Sequence, residues 1–161
     1  MINREREKEI MKLAAQEADR TMKENLGGPF GAAVIDREGN IISIASNTVL
    51  GDNDPTAHAE VNAIRKACTE LGTYDLTNYI LYTTAHPCPM CLGATIWANI
   101  KRVVYGAEPV DADEIGFRDD FVYHFIEDGM ADPEILELKG QDREIGKDLF
   151  AEYRDMGKVI Y

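Results

Sequence analysis

The chain has 161 residues, enough for one domain with a sizeable buried core. Asp and Glu outnumber Lys and Arg by 29 to 17, a formal net charge of −12, so the field of the whole molecule repels a polyanion and no nucleic-acid partner is expected. No apolar run reaches membrane-spanning length, and the charged opening MINREREKEIMK lacks the apolar stretch of a secretory signal. The three cysteines fit a reducing compartment better than a disulfide framework, so the expected location is the cytoplasm, with no membrane partner.

Residues 5–25 carry Ile10, Leu13, Ala14, Ala18 and Met22 on one stripe, which predicts an amphipathic helix. GGPFG, residues 27–31, breaks that period. Pro29 removes an amide that a phosphate cradle would use and no Lys-Ser/Thr pair follows, so the segment reads as a turn into a strand. AAVID (32–36) and IISIAS (41–46) flank REGN as a hairpin. Asp54-Pro55 then reads as a helix start and Gly72 as the far end, across NDPTAHAEVNAIRKACTELG. NYILYTTA (78–85) is a buried strand, PMCLGATIWA a helix and RVVYGA (102–107) another strand. Strands alternating with helices predict an α/β layered domain with its later strands parallel. The stretch after Glu108 is acidic and irregular, and DREIGKDLFAEYRDM reads as a closing helix.

Cys88 and Cys91 fall at the start of a predicted helix with Pro89 in its first turn, and their spacing of three puts both sulfurs on one face. Unpaired amides and the positive end of the helix dipole favour thiolate there, which suits a metal or redox chemistry. Two thiolates leave a zinc ion short of ligands. His58, thirty residues upstream, supplies a third if two helices on neighbouring parallel strands aim their N-termini at one place. Three ligands with a fourth position for water mark a catalytic site, and Glu60 is then the acid/base group. His58 is expected at the very start of its helix, because residues two apart do not share a helix face. His86 as a fourth ligand would instead close the site and make it structural. Cys68 reads as a small core residue and His124 as a surface or packing histidine. The apolar helix carrying Ile96 and Trp97 is a candidate for facing a second subunit, favouring a homodimer.

TAHAE together with HPCPMC resembles the cytidine-deaminase-like superfamily of zinc deaminases, whose H-x-E…P-C-x-x-C signature is a known family hallmark. GGPFGAAV, SNTVLGDNDPTAHAEVNAIRKAC, PCPMCLGATIWA and DADEIGFRDDFVY are similar to guanine deaminases of the small bacterial type. The resemblance implies a three-layer α/β/α fold around a central five-stranded mixed sheet, and one Zn²⁺ per chain held by His58, Cys88 and Cys91. It implies hydrolytic removal of an exocyclic amine from a free nucleobase, guanine to xanthine plus ammonia, with Glu60 delivering protons. Carried over by position, Asn47 would hydrogen-bond the base and Asp119 (or Asp120 beside it) would be the second acidic residue. Phe30 and the Ala59 amide would line the pocket. Tyr161 would reach the base from a C-terminal tail, about residues 141–161 of a single 1–161 domain, swapped onto a partner subunit. One departure stands out: relatives commonly carry Glu immediately before this Pro-Cys, where this chain has His86. Deamination of adenosine in transfer RNA or of cytosine or cytidine is the alternative within the same chemistry. A non-catalytic zinc-stapled binding module is the alternative outside it.

Overall fold

A computed structural model describes residues 2–161. The chain divides into two compact units, one running to Asp120 and the other spanning residues 121–161. The first holds a four-stranded sheet and the helices that cover it.

Helix α1 (Arg4–Lys23) is capped by Asn3, whose side chain accepts from the Arg6 amide, and it buries Ile10, Ala14 and Ala18. Strand β1 (Gly31–Ile35) pairs antiparallel with both β2 (Ile41–Ser46) and β3 (Ile80–Ala85), while β3 pairs in parallel with β4 (Val103–Ala107). The order β2-β1-β3-β4 makes a mixed sheet. Strand β1 is buried on both faces, and its alternate side chains go to opposite layers. Ala33 and Ile35 pack with Ile10 of α1, whereas Ala32 and Val34 pack with Ala59, Ala63 and Ala67 of α3 (Ala59–Leu71). Gly31 permits the closest approach, because a Cβ there would run into the Ala14 carbonyl of α1.

Helix α4 (Pro89–Trp97) packs against α3. Strands β2 and β3, which lead into α3 and α4, are not neighbours as expected from sequence; β1 lies between them. Both run antiparallel to β1, so they still share one direction and deliver their helices to the same edge of the sheet. The short helix α2 (Val49–Asp52) lies between β2 and α3. Asp54-Pro55 does not start α3: Asp54 accepts from the amide and hydroxyl of Thr56 in a tight turn, and the helix begins at Ala59.

The sheet has four strands, not five. All four were readable from their apolar runs, whereas the fifth came only from the family resemblance. Among the described residues, the chain after β4 forms helices α5 (Pro109–Glu114), α6 (Asp120–Glu127) and α7 (Arg143–Asp155) and no further strand. Helices α5 and α6 lie where the sequence reads as irregular. Each spans only a few residues, too short to establish a helical period against an acidic background. In the second unit, Tyr153 of α7 donates to the Val159 carbonyl and ties the chain end back to the helix.

Candidate active site

His58 and Cys88 occupy the same structural position, the N-cap of α3 and of α4. Both have extended backbone (ψ 155° and 169°), and neither side chain accepts from its own helix as an N-cap side chain commonly does. Each is therefore free to turn toward the other. Cys91, one turn into α4, is fully buried beside them. His58 Nδ1 lies 3.6 Å from the Sγ of Cys88 and 3.6 Å from the Sγ of Cys91. For tetrahedral zinc, with Zn–S of about 2.3 Å and Zn–N of about 2.0–2.1 Å, nitrogen and sulfur ligands stand about 3.6 Å apart. The three side chains thus fit a zinc ion at the spacing that its own bond lengths require. They are the one His/Cys/Asp/Glu group of this kind among the described residues, and His86 does not join it.

The electrostatics suit a cation. The Cys91 thiol and then His58 donate to Cys88, pulling its thiol down to about 4. The proton left on Cys91 is held up by the Cys88 sulfur beside it and by burial. Hydrogen bonding to Cys88 also raises His58. One thiolate is thus formed readily and the second proton is retained, a balance that a divalent ion resolves by displacing it.

Glu60 is the second residue of α3 and only 6% exposed, next to Cys91. Burial pushes its carboxyl above the ordinary range, and the Cys88 charge adds to that. A carboxyl poised in this way exchanges protons more readily near neutrality than a solvated one.

These groups open onto a cavity of about 550 Å³ lined by His58, Glu60, Cys88, Asn47, Phe30 and Asp119 among others. Asn47 is 5% exposed, and its Oδ1 accepts from the amides of Gly28 and Val49, each at 3.2 Å. Two donors fix the amide, leaving Nδ2 as its donating end. Gly27 backs directly onto this arrangement: a Cβ there would collide with the Asn47 carbonyl and Oδ1. Phe30 meets Phe117 edge-on at 5.0 Å and forms an apolar wall. Asp119 lines the cavity, whereas Asp120 pairs with Arg118 at 3.3 Å. Burial, then the Cys88 charge, raises the Asp119 carboxyl.

The remaining expected residues lie elsewhere. Ala59 is fully buried at the first position of α3, packed in the core rather than lining the cavity by its side chain. Tyr161 is 81% exposed and belongs to the second unit. Cys68 packs against the core cluster, and His124 is exposed on α6. The sequence reading passed over Phe117, Arg118 and the Pro109 and Ala112 wall, which α5 and the loop after it bring to the cavity. The Gly-Phe-Arg-Asp-Asp run held the signal, a lone aromatic between charges, but no period placed it.

Residues 4–107 match the family model for the cytidine and deoxycytidylate deaminase zinc-binding region. The chain belongs to this family. It is a zinc-dependent aminohydrolase. Among its relatives, the guanine deaminase of Bacillus subtilis is 52% identical over 118 residues, 73% of this chain and 75% of that protein. A tRNA-specific adenosine deaminase of Haemophilus influenzae is 38% identical over 79% of this chain and 70% of its own length. The X-ray structure of a guanine deaminase from Bacillus subtilis superposes with a TM-score of 0.84 at 40% identity, covering 99% of each chain. Deaminases of this family share the zinc site, and the protein carries it on α3 and α4.

Proposed function

We propose that the protein deaminates free guanine, giving xanthine and ammonia, at the His58, Cys88 and Cys91 centre. The observation that carries this reading is the cavity whose wall brings together the buried Glu60 carboxyl, a zinc-spaced ligand set and the fixed amide of Asn47. The likeness to guanine deaminases over nearly the whole chain supports the choice of base.

A bound zinc ion supplies a water made acidic near neutral pH, from 15.7 toward about 7. The chain's own residues do the rest. Glu60 carries one proton from the attacking water to the ring nitrogen next to the amine-bearing carbon, and then carries the second, from the added hydroxyl, to the departing amine. Water adds to that carbon, the carbon–nitrogen bond breaks, and an oxo group replaces the amine, so that guanine plus water balances xanthine plus ammonia. Asn47 Nδ2 donates to the base, the Phe30 and Phe117 wall packs on its ring, and the Ala59 amide at the start of α3 is assigned to its polar edge. Asp119 accepts from the leaving amine. Of the two adjacent acids it is the one in the cavity, Asp120 being engaged by Arg118.

The reading extends to one 1–161 deaminase domain working as a homodimer in the cytoplasm, with the tail from about residue 141 swapped onto the partner so that Tyr161 reaches the bound base. Exposed Ile96 and Trp97 on α4, 69% and 75% accessible, support a subunit contact. No helix among the described residues is long and apolar enough to cross a membrane. Transfer RNA is the weaker substrate reading, because the chain carries 29 acidic against 17 basic side chains.

The test is ammonia release from guanine, adenine, cytosine, their nucleosides and an RNA anticodon stem-loop carrying adenosine, by zinc-loaded protein. Guanine turned over in preference to the rest supports the reading. Preference for adenosine in an anticodon stem-loop would replace it.

A further inference from the structure

Phe117, Arg118 and Asp119 reach the cavity wall from the loop that follows α5. Residues 108–120 carry the acids Glu108, Asp111, Asp113, Glu114, Asp119 and Asp120 and a single base, Arg118. Left without a countercharge, such a segment repels itself. Arg118 spans it: its Nε lies 2.9 Å from Asp113 Oδ1, on α5, and its Nη2 lies 3.3 Å from Asp120 Oδ2, where the loop ends. One planar guanidinium thus joins the two flanks of the loop, which the point charge of a lysine would do less well. Asp119, between the two partners of this clamp in the chain, is left out of both pairs, and it is the acid on the cavity wall.

The other side of the loop is seated on the site. The Gly116 amide donates to the Asp113 carbonyl at 2.9 Å and the Phe117 amide to the Ala112 carbonyl at 3.0 Å. Gly116 makes the turn at a φ of +93°, which favours glycine. The Phe117 ring then meets Phe30 edge-on and lies so near Gly28 that a Cβ there would be 2.9 Å from its Cζ. Gly28 in turn donates its amide to Asn47. The position of this one loop therefore sets an aromatic wall of the cavity and its second carboxylate together.

Resting on the guanine reading, we propose that Arg118 is a positioning residue: its pairs with Asp113 and Asp120 hold the loop so that Phe117 packs on the base and Asp119 meets the leaving amine. Both pairs are exposed and add little to global stability. Opening of the loop is a local equilibrium, however, and a few-fold change in it is felt at the site while the rest of the fold is unmoved.

The experiment measures kcat and KM for guanine, zinc content, melting temperature and deuterium uptake over residues 115–120. It compares the parent with Arg118→Ala, Arg118→Lys, Asp113→Asn and the double variant Arg118→Ala/Asp113→Asn. Arg118→Ala lowers kcat/KM about three- to tenfold and speeds uptake in the loop, with zinc content and melting temperature at parent values. Arg118→Lys recovers part of both. In the double variant Asp113→Asn costs nothing further, because the pair it would break is already gone. Guanine is uncharged near neutrality, so salt does not act by steering it to the site. Raising salt from about 0.05 M to about 0.5 M lowers kcat/KM of the parent about two- to threefold and leaves that of Arg118→Ala unchanged. Parent-like kinetics in Arg118→Ala, or additive losses in the double variant, overturn the assignment. A melting temperature that falls along with activity marks general support of the fold and overturns it as well. A parent inactive on guanine overturns the substrate reading alone if it turns over another uncharged base, on which the same comparisons decide Arg118. A parent inactive on every base overturns both.

Discussion

His58 and Cys88 cap two separate helices, and their ligating atoms stand 3.6 Å apart. Neither capping side chain is spent on its own helix, so the amides of two helix starts surround a site of converging soft and nitrogen donors. The topology arranges this because β2 and β3 both run opposite to β1 and release α3 and α4 at one edge of the sheet.

Removing a ligand tests the centre. Cys91→Ser is expected to lose most of the zinc, to abolish turnover and to lower the melting temperature, because a fully buried sulfur and the ion it holds are both taken away. Metal analysis by plasma emission and a melting curve check this. A variant that retains one zinc per chain would remove Cys91 from the ligand set.

Glu60→Gln separates holding the metal from moving protons. The variant keeps zinc and slows kcat by about 10²- to 10⁴-fold or more, the range of a lost acid/base group. Steady-state kinetics on metal-quantified protein is the measurement, and parent-like turnover would exclude Glu60 from the reaction.

The raised Glu60 carboxyl also predicts a pH dependence of stability in the metal-free protein. Its folded value lies above the ordinary 4.5, so its contribution is fully present below that unfolded value and is lost as pH rises through the folded one. Chelator-treated parent should therefore lose melting temperature relative to chelator-treated Glu60→Gln as pH rises from about 4 to 8. Parallel curves for the two proteins would show that the burial cost is absent.

Asn47→Asp keeps an oxygen for the Gly28 and Val49 amides and removes the amide donor proposed to hold the base. The fold should hold while kcat/KM on guanine falls about 10- to 100-fold, as for one buried hydrogen bond lost and a charge gained. Unchanged kinetics would take Asn47 out of base binding.

The legible and illegible parts of this molecule differ in kind. His58, Cys88 and Cys91 were readable because zinc coordination demands particular atoms, and Pro89 marked the start of the helix that presents the two sulfurs. Strands β1 to β4 were readable from their short apolar runs. Asp54-Pro55 misled because a residue pair that suits a helix start suits a turn equally, and Thr56 decided for the turn. Phe117 and Asp119 reach the cavity from a short loop between two brief helices, where no periodicity gives direction. That Nδ1 of His86 is buried without a hydrogen-bond partner is a property of packing and had no trace in the sequence beyond an unusual residue before Pro87.

Gly31→Ala tests the fold itself. Its Cβ would press on the Ala14 carbonyl, so α1 must move off the sheet, at a cost of about 1–3 kcal/mol in urea unfolding. A neutral substitution would mean that α1 does not pack on β1 at this distance.

X-ray absorption at the zinc edge of the purified protein tests the central arrangement most directly. Two sulfurs at about 2.3 Å, one imidazole nitrogen at about 2.0–2.1 Å and one further oxygen are predicted, with the scattering pattern of a single imidazole. A second imidazole in the shell, His86 completing a closed structural site, would contradict the account.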